Sequence, residues 1–424
     1  MLGILLNIIK IAFLLGFLVF IHEGGHFLIA KLFKIKVKEF AIGFGPTILS
    51  KQSKETKYAL RLIPLGGFVS MLGENEKSEE EGSYSKANIP KKMGILVAGG
   101  LVNVIFGLLI YFILIYNSNT TLIDTTIKET VPNYAAEKIG IQAGDRIISI
   151  NNKKIRIRTD IDDILNDYNE EDGELLIKIE RNNTVKEFSI APTESQTKNI
   201  GIYLGIEGKN LSTEIKSVYD DSPAKLVGIQ SGDIVIKVDD IEVPDDAKEV
   251  VSLIANSKND RIKLTVKRND ELLDFYLDPV IFKSYKIGVV FDVINANFKT
   301  RLYNAFWETN RFSISIVDSL KKLFTGKVTV DQLMGPIGIS EVVIETKNFE
   351  QFIYILAIVS VSLGITNLLP LPPLDGGKIF ILLIETIRRK PLKENTDLTI
   401  QTLGMLFILL LSLFVTFNDV IKIF

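Results

Sequence analysis

Two textures alternate along this chain. Nearly unbroken apolar runs occupy residues 11–33, 95–116, 352–369 and 403–420, and each is about as long as the ~20 residues a helix needs to cross bilayer hydrocarbon. The third run has an apolar continuation beyond Pro370, Pro372 and Pro373. Between the second and third runs the pattern changes to short segments of alternating apolar and polar positions, punctuated by Gly, Asn and Asp. That is the period of half-buried strands joined by turns. The pattern therefore predicts four transmembrane helices with a β-rich region inserted after the second.

The first run reads as a retained span and not as a cleaved leader. Lys10 is the one charge in residues 1–15, no small-residue cleavage motif follows, and His22 and Glu23 interrupt the run. Cations at the span ends set the orientation. Lys31, Lys34, Lys36 and Lys38 follow the first span, Lys91 and Lys92 precede the second, and Arg388, Arg389, Lys390 and Lys393 separate the third from the fourth. Residues from about 34 to 94 and the turn near 390 are thus expected in the cytoplasm. The inserted region and both termini are expected on the other side.

Inside the insert, residues 136–152 (AEKIGIQAGDRIISINN) recur at 224–240 (AKLVGIQSGDIVIKVDD), an offset of 88 positions. The offset preserves Gly140/Gly228, Gln142/Gln230, Gly144/Gly232 and Asp145/Asp233, the mark of a tandem duplication. Each copy reads as a short helix, a Gly-Asp turn and an alternating strand. The pattern resembles PDZ domains of bacterial envelope proteases, which capture extended peptides by adding a strand to a sheet edge.

Composition narrows the chemistry. The 424 residues are 47% hydrophobic and 24% charged, which suits spans combined with water-exposed domains. A net charge of −2 and the lack of an aromatic-interleaved basic run argue against nucleic-acid binding. Cysteine is absent, so disulfides, thiolate metal sites and cysteine nucleophiles are excluded, and any metal must be held by His, Asp or Glu.

The chain's two histidines stand four apart within His22-Glu23-Gly24-Gly25-His26, in the first span. Positions i and i+4 share a helix face, so both imidazoles are able to bind one Zn²⁺ while Glu23 serves as general base toward a water. Ionisable groups in hydrocarbon are costly unless a partner or a water-filled cavity compensates, so such residues are functional by default, which favours a catalytic centre over a pair of core histidines. At 1.5 Å per residue His22 lies about 14 Å along the helix from Lys31, inside the bilayer and nearer the cytoplasmic face. A catalytic zinc needs a third protein ligand. Asp375 in the proline-broken segment NLLPLPPLDGG (367–377) is the carboxylate placed at matching depth. An N-terminal capping role for Asp375 is compatible with ligation.

HExxH in the first span, a tandem PDZ-like insert and LDGG in the third span together resemble the site-2 protease family of intramembrane metalloproteases. GFGP (43–46), PLGGF (64–68) and GPIGI (335–339) look like further family landmarks, so the resemblance covers essentially the whole chain. Gly24, where the family usually carries a bulkier residue, and the segment 88–107 depart from the family pattern.

The resemblance implies a mixed membrane protein: a four-helix transmembrane metalloprotease core with two inserted PDZ-like domains, mainly β and partly α. Its expected divisions are 1–34 (first span), 35–94 (cytoplasmic region with a membrane-associated β-hairpin at 58–69) and 95–117 (second span). PDZ-like domains follow at 118–198 and 199–290, then an amphipathic connection at 291–350. The third span with LDGG (351–388) and the cytoplasmic turn with the fourth span (389–424) complete the chain. It further implies zinc held by His22, His26 and Asp375, Glu23 as catalytic base and Asn367 at a substrate-contacting position. The implied substrates are single-pass transmembrane proteins of the anti-sigma-factor type, cut first by a site-1 type protease, and remnant signal peptides. The implied location is the bacterial cytoplasmic (inner) membrane. A non-proteolytic PDZ-bearing scaffold with a vestigial metal site is the alternative; intact ligands and an intact Glu23 weigh against it. Asn103, in the second span, reads as an interhelical hydrogen-bonding group.

Overall fold

In hydrocarbon every backbone N–H and C=O must be satisfied within the segment, so the apolar runs fold as helices: Leu2–Leu32, Ile89–Asn117, Phe349–Asn367 and Glu394–Ile423. The computed structural model describes residues 2–423 apart from 75, 77, 118–121, 133, 208, 209, 220, 221, 245, 327–334 and 347. Among the described residues, four helices are long and apolar enough to span a membrane. The first and last helices begin earlier than their apolar runs, the last of them through the polar flank 394–402 that hydropathy alone excludes. The expected 117/118 boundary falls outside the described residues.

The chain forms two units, one of residues up to Leu122 with those from Asn295 onward, the other Ile123–Ile294. In the first unit, glycines let the second and third spans touch backbone to backbone. A Cβ on Gly100 would lie 2.7 Å from the Gly364 carbonyl oxygen, and one on Gly364 would lie 2.5 Å from that of Gly100. Ser360 Oγ donates to the Asn103 carbonyl oxygen at 2.8 Å across the same crossing. The third apolar run is interrupted as its prolines require: helix Phe349–Asn367 stops, residues 368–374 are non-helical, and helix Asp375–Arg388 resumes.

Within the expected connecting region lie the amphipathic helix Phe298–Phe324 and the helix Pro336–Glu345. The GPIGI segment is tied to the fourth span, where the buried Asp419 carboxylate accepts from the Gly335 and Gly338 amides at 3.2 and 2.9 Å.

The hairpin is larger than the sequence indicated. Residues 58–69 form most of a returning strand, Lys57–Met71, whose partner is Val37–Gln52. Both strands double back on themselves. Residues 39–42 pair with 57–60 on one side and with 67–70 on the other, while 57–60 pair in turn with 49–52. The result is a small four-ribbon sheet with 67–71 at one edge and 49–52 at the other. Its base packs on the first two spans through Ala30, Val37, Phe40, Val69, Met71 and Ile95. Its far end exposes Phe44, Ile48, Leu49, Leu62 and Ile63, apolar surface that suits contact with lipid.

The second unit holds two β-rich modules with separate cores, one around Ile147, Ile150, Ile177 and Ile179, the other around Val235, Val238, Leu264 and Val266. They do not follow one another as 118–198 and 199–290. Strand Val289–Ile294 lies beside Leu122–Thr130 at the edge of the first sheet, and Ile287 and Phe291 are in the first core. Strands Thr193–Asn199 and Val280–Lys286 pair as a two-stranded stalk. The second module is therefore inserted within the first. Repeat comparison missed this because the returning strand has no counterpart within the matching 17-residue windows.

The repeated Asp is more than turn chemistry. Asp145 and Asp233, 0% and 1% exposed, each accept an amide bond in the turn at 2.9 Å, from Gln142 and Gln230. Each also receives a bidentate arginine at 2.6 and 2.7 Å, Arg181 and Arg268. The same arginines donate to the Gly140 and Gly228 carbonyls at 2.8 Å. Burial alone would raise these carboxyl pKa values, but the arginine and the turn amide outweigh it and hold both below the ordinary range. A lowered folded pKa makes this contribution complete above the unfolded Asp value, near pH 4, and progressively lost as pH falls through the folded value. Asp233→Ala is expected to destabilise the second module by about 1–3 kcal/mol, because Arg268 loses its bidentate partner and the Gln230 amide its acceptor. Hydrogen exchange on the full chain should show lost amide protection confined to that module, and no loss would contradict the role.

Candidate metal centre

His22 and His26 leave one face of the first span, both buried. The second span presses on them with a single stripe. The Ile95 carbonyl accepts a 2.8 Å bond from His26 Nδ1, so that nitrogen carries the proton and Nε2 is left with a free lone pair. One turn on, Gly99 lies beneath both rings, since a Cβ there would come 2.3 Å from His26 Nε2 and 2.8 Å from His22 Cε1. Another turn on, Asn103 Nδ2 stands 3.4 Å from His22 Nδ1.

Asp375 arrives from the broken third span. It is the first residue of its helix, and Leu374 ahead of it makes no side-chain cap. Its carboxylate is directed instead at the imidazoles. The glycines after it let the non-helical loop fold down on this helix start: a Cβ on Gly376 would sit 2.2 Å from the Leu368 carbonyl oxygen.

The three groups meet as a near-equilateral triangle. His22 Nε2 to Asp375 Oδ2 is 3.2 Å, His26 Nε2 to Asp375 Oδ2 is 3.1 Å, and the two Nε2 atoms are 3.2 Å apart. The approaches to Asp375 are short, yet its buried Oδ2 lacks a hydrogen bond of acceptable angle. Two imidazole nitrogens converging on a buried carboxylate oxygen that has no hydrogen bond of its own form a donor set apt for a cation. Tetrahedral zinc with ligands at about 2.0–2.1 Å spaces them about 3.3 Å apart, so these residues fit that ion. Among the described residues this is the one His/Cys/Asp/Glu group close enough to hold a metal.

The triangle opens on a cavity of about 180 Å³ that Glu23 also lines. The opposite wall is the sheet edge, Phe68, Val69 and Met71, and Glu74 and Lys378 pair at 3.6 Å in the lining. Gly67 is what brings that edge close, because a Cβ there would lie 3.4 Å from Glu23 Cγ. The centre can thus do metal-assisted hydrolysis on an extended chain lying along residues 67–71. Asn367 ends the third span half-buried and is not among the residues lining this cavity. Ile95 and Gly99 were not legible in sequence, since their role appears only when the second span is docked on the first.

Comparison with known proteins agrees with this chemistry. The profile described as "Peptidase family M50" matches residues 10–411. The chain is similar to the regulator of sigma E protease of Haemophilus influenzae, 29% identical over 96% of each chain. The zinc metalloprotease RasP of Shouchella clausii is 28% identical over 96% of this chain and 97% of the relative. The regulator of sigma-E protease RseP of Salmonella typhimurium is 28% identical over 99% of each.

Proposed function

The chain belongs to peptidase family M50, and from that premise we propose that it hydrolyses peptide bonds at the His22–His26–Asp375 centre, with Glu23 moving the proton. It is an intramembrane zinc metalloprotease of the inner membrane that acts on membrane proteins. The observation that carries the site assignment is the triangle of 3.1–3.2 Å edges opening on the cavity that Glu23 lines.

Zinc, when bound by these three residues, supplies Lewis-acid activation of water and of the scissile carbonyl. Glu23 takes a proton from the attacking water as its oxygen bonds to the acyl carbon. The C–N bond then breaks, and Glu23 returns the proton to the leaving amine nitrogen, regenerating its carboxylate. Residues 67–71 pair with the substrate backbone as an added strand, because a helical scissile bond must be extended before it is cut. Asn367, at the end of the third span, is proposed to contact substrate outside the cavity, which it does not line.

The proposed substrates are single-pass proteins of the anti-sigma-factor type and remnant signal peptides. A site-1 type protease trims the former first. Residues 34–94 face the cytoplasm, while the insert and both termini are extracytoplasmic, which follows the cation distribution. The two PDZ-like modules exclude untrimmed substrates. The first has a cavity of about 420 Å³ between helix Arg158–Asn166 and residues 284–289, beside its edge strand.

The test uses the full chain in proteoliposomes with one single-pass substrate, intact or trimmed outside the membrane. Trimmed substrate is expected to be cut at least about tenfold faster, chelator should abolish cutting, and deleting 123–294 should remove the preference. Equal cutting of both forms by the intact chain would refute the gating, and cleavage that survives His22→Ala would refute the site.

A further inference from the structure

Asn103 is 0% exposed, and its side-chain Oδ1 is buried without a hydrogen-bond partner. Its backbone carbonyl already ties the second span to the third through Ser360, so the side chain is not needed for that contact. Its amide faces His22 Nδ1 at 3.4 Å.

The tautomer of His22 decides what this contact must be. With Nε2 turned to the metal triangle, a neutral imidazole carries its proton on Nδ1. An amide NH₂ opposite that N–H would set donor against donor. Amide oxygen and nitrogen are told apart only by their partners, and rotating the amide by half a turn puts the orphaned oxygen where His22 Nδ1–H needs an acceptor. His26 already has the matching arrangement, its Nδ1–H donating to the Ile95 carbonyl. Ile95, Gly99 and Asn103 are spaced by one helical turn each, as His22 and His26 are. One stripe of the second span therefore addresses both rings.

Resting on the metal-centre reading above, we propose that Asn103 is a positioning residue for His22: its amide oxygen accepts the Nδ1 proton, fixing the ring and reserving Nε2 for zinc. Such partners of a metal-binding imidazole typically change metal affinity by about 10–100-fold when removed.

The test compares zinc affinity of the detergent-solubilised full chain, by chelator competition, for the parent, Asn103→Leu, Asn103→Asp and Ser360→Ala, together with the visible spectrum of the cobalt-substituted forms. Asn103→Leu is expected to weaken zinc about 10–100-fold and to alter the cobalt spectrum. Asn103→Asp, which keeps an acceptor oxygen, should restore affinity to within a few-fold of the parent. Ser360→Ala, which loosens the same helix crossing without touching the acceptor, should bind zinc like the parent. Parent-like affinity in Asn103→Leu, equal weakening in Asn103→Asp, or equal weakening in Ser360→Ala would each overturn the proposal. A parent that binds no zinc would overturn the metal centre itself, and this proposal with it.

Discussion

Glu23→Gln is expected to slow cleavage of a synthetic transmembrane peptide by about 10²–10⁴-fold while the purified protein keeps its zinc. Glu23 lines the cavity but is not among the three converging ligands, so its amide analogue should alter proton transfer and little else. Gln matches Glu in volume and still hydrogen-bonds, leaving the packing against Gly67 intact. The measurement pairs metal content with single-turnover cleavage. Zinc lost together with activity would make Glu23 a structural contributor to the centre, and undiminished cleavage would remove it from the mechanism.

Asp375→Ala is expected to weaken zinc binding by about 10³-fold or more, because a three-ligand site would fall to two imidazoles on one helix. Its ring partners would remain in place, since His26 is held by the Ile95 carbonyl independently of Asp375. The carboxylate also sits in the first turn of its helix, where a negative charge is worth about 0.3–1 kcal/mol. That term is too small to imitate loss of a ligand. Chelator competition separates the two, because a purely helical role predicts lower thermal stability with zinc affinity unchanged. Unchanged affinity would disqualify Asp375 as a ligand.

What was legible in sequence follows from how local each feature is. His22, Glu23 and His26 lie within five consecutive residues, so helical spacing alone brings both imidazoles to one face. Asp375 required two further steps, the absence of cysteine and the inferred depth of a proline-broken loop. Gly99 and Asn103 meet the rings only across a helix interface, and no periodicity in one helix reveals which turn of its neighbour lies opposite. The hairpin at 58–69 proved to be most of one strand of a longer pair, because doubling back is set by bulges and tertiary pairing and not by alternation. Arg181 and Arg268 escaped notice for a related reason: they lie 36 and 35 positions from Asp145 and Asp233, beyond the conserved window of the repeat.

The interleaving of the two β-rich modules sets an order of assembly as the chain is made. Synthesis ordinarily lets the domain made first fold first. Here the second module is complete once strand Glu271–Leu277 has emerged, while the first still lacks its edge strand Val289–Ile294. The outer module thus finishes last, with the inner one already formed between its halves. A chain cut short anywhere between the two strands would carry a finished inner domain and an open-edged outer one, exposing strand Leu122–Thr130 to pairing with other chains.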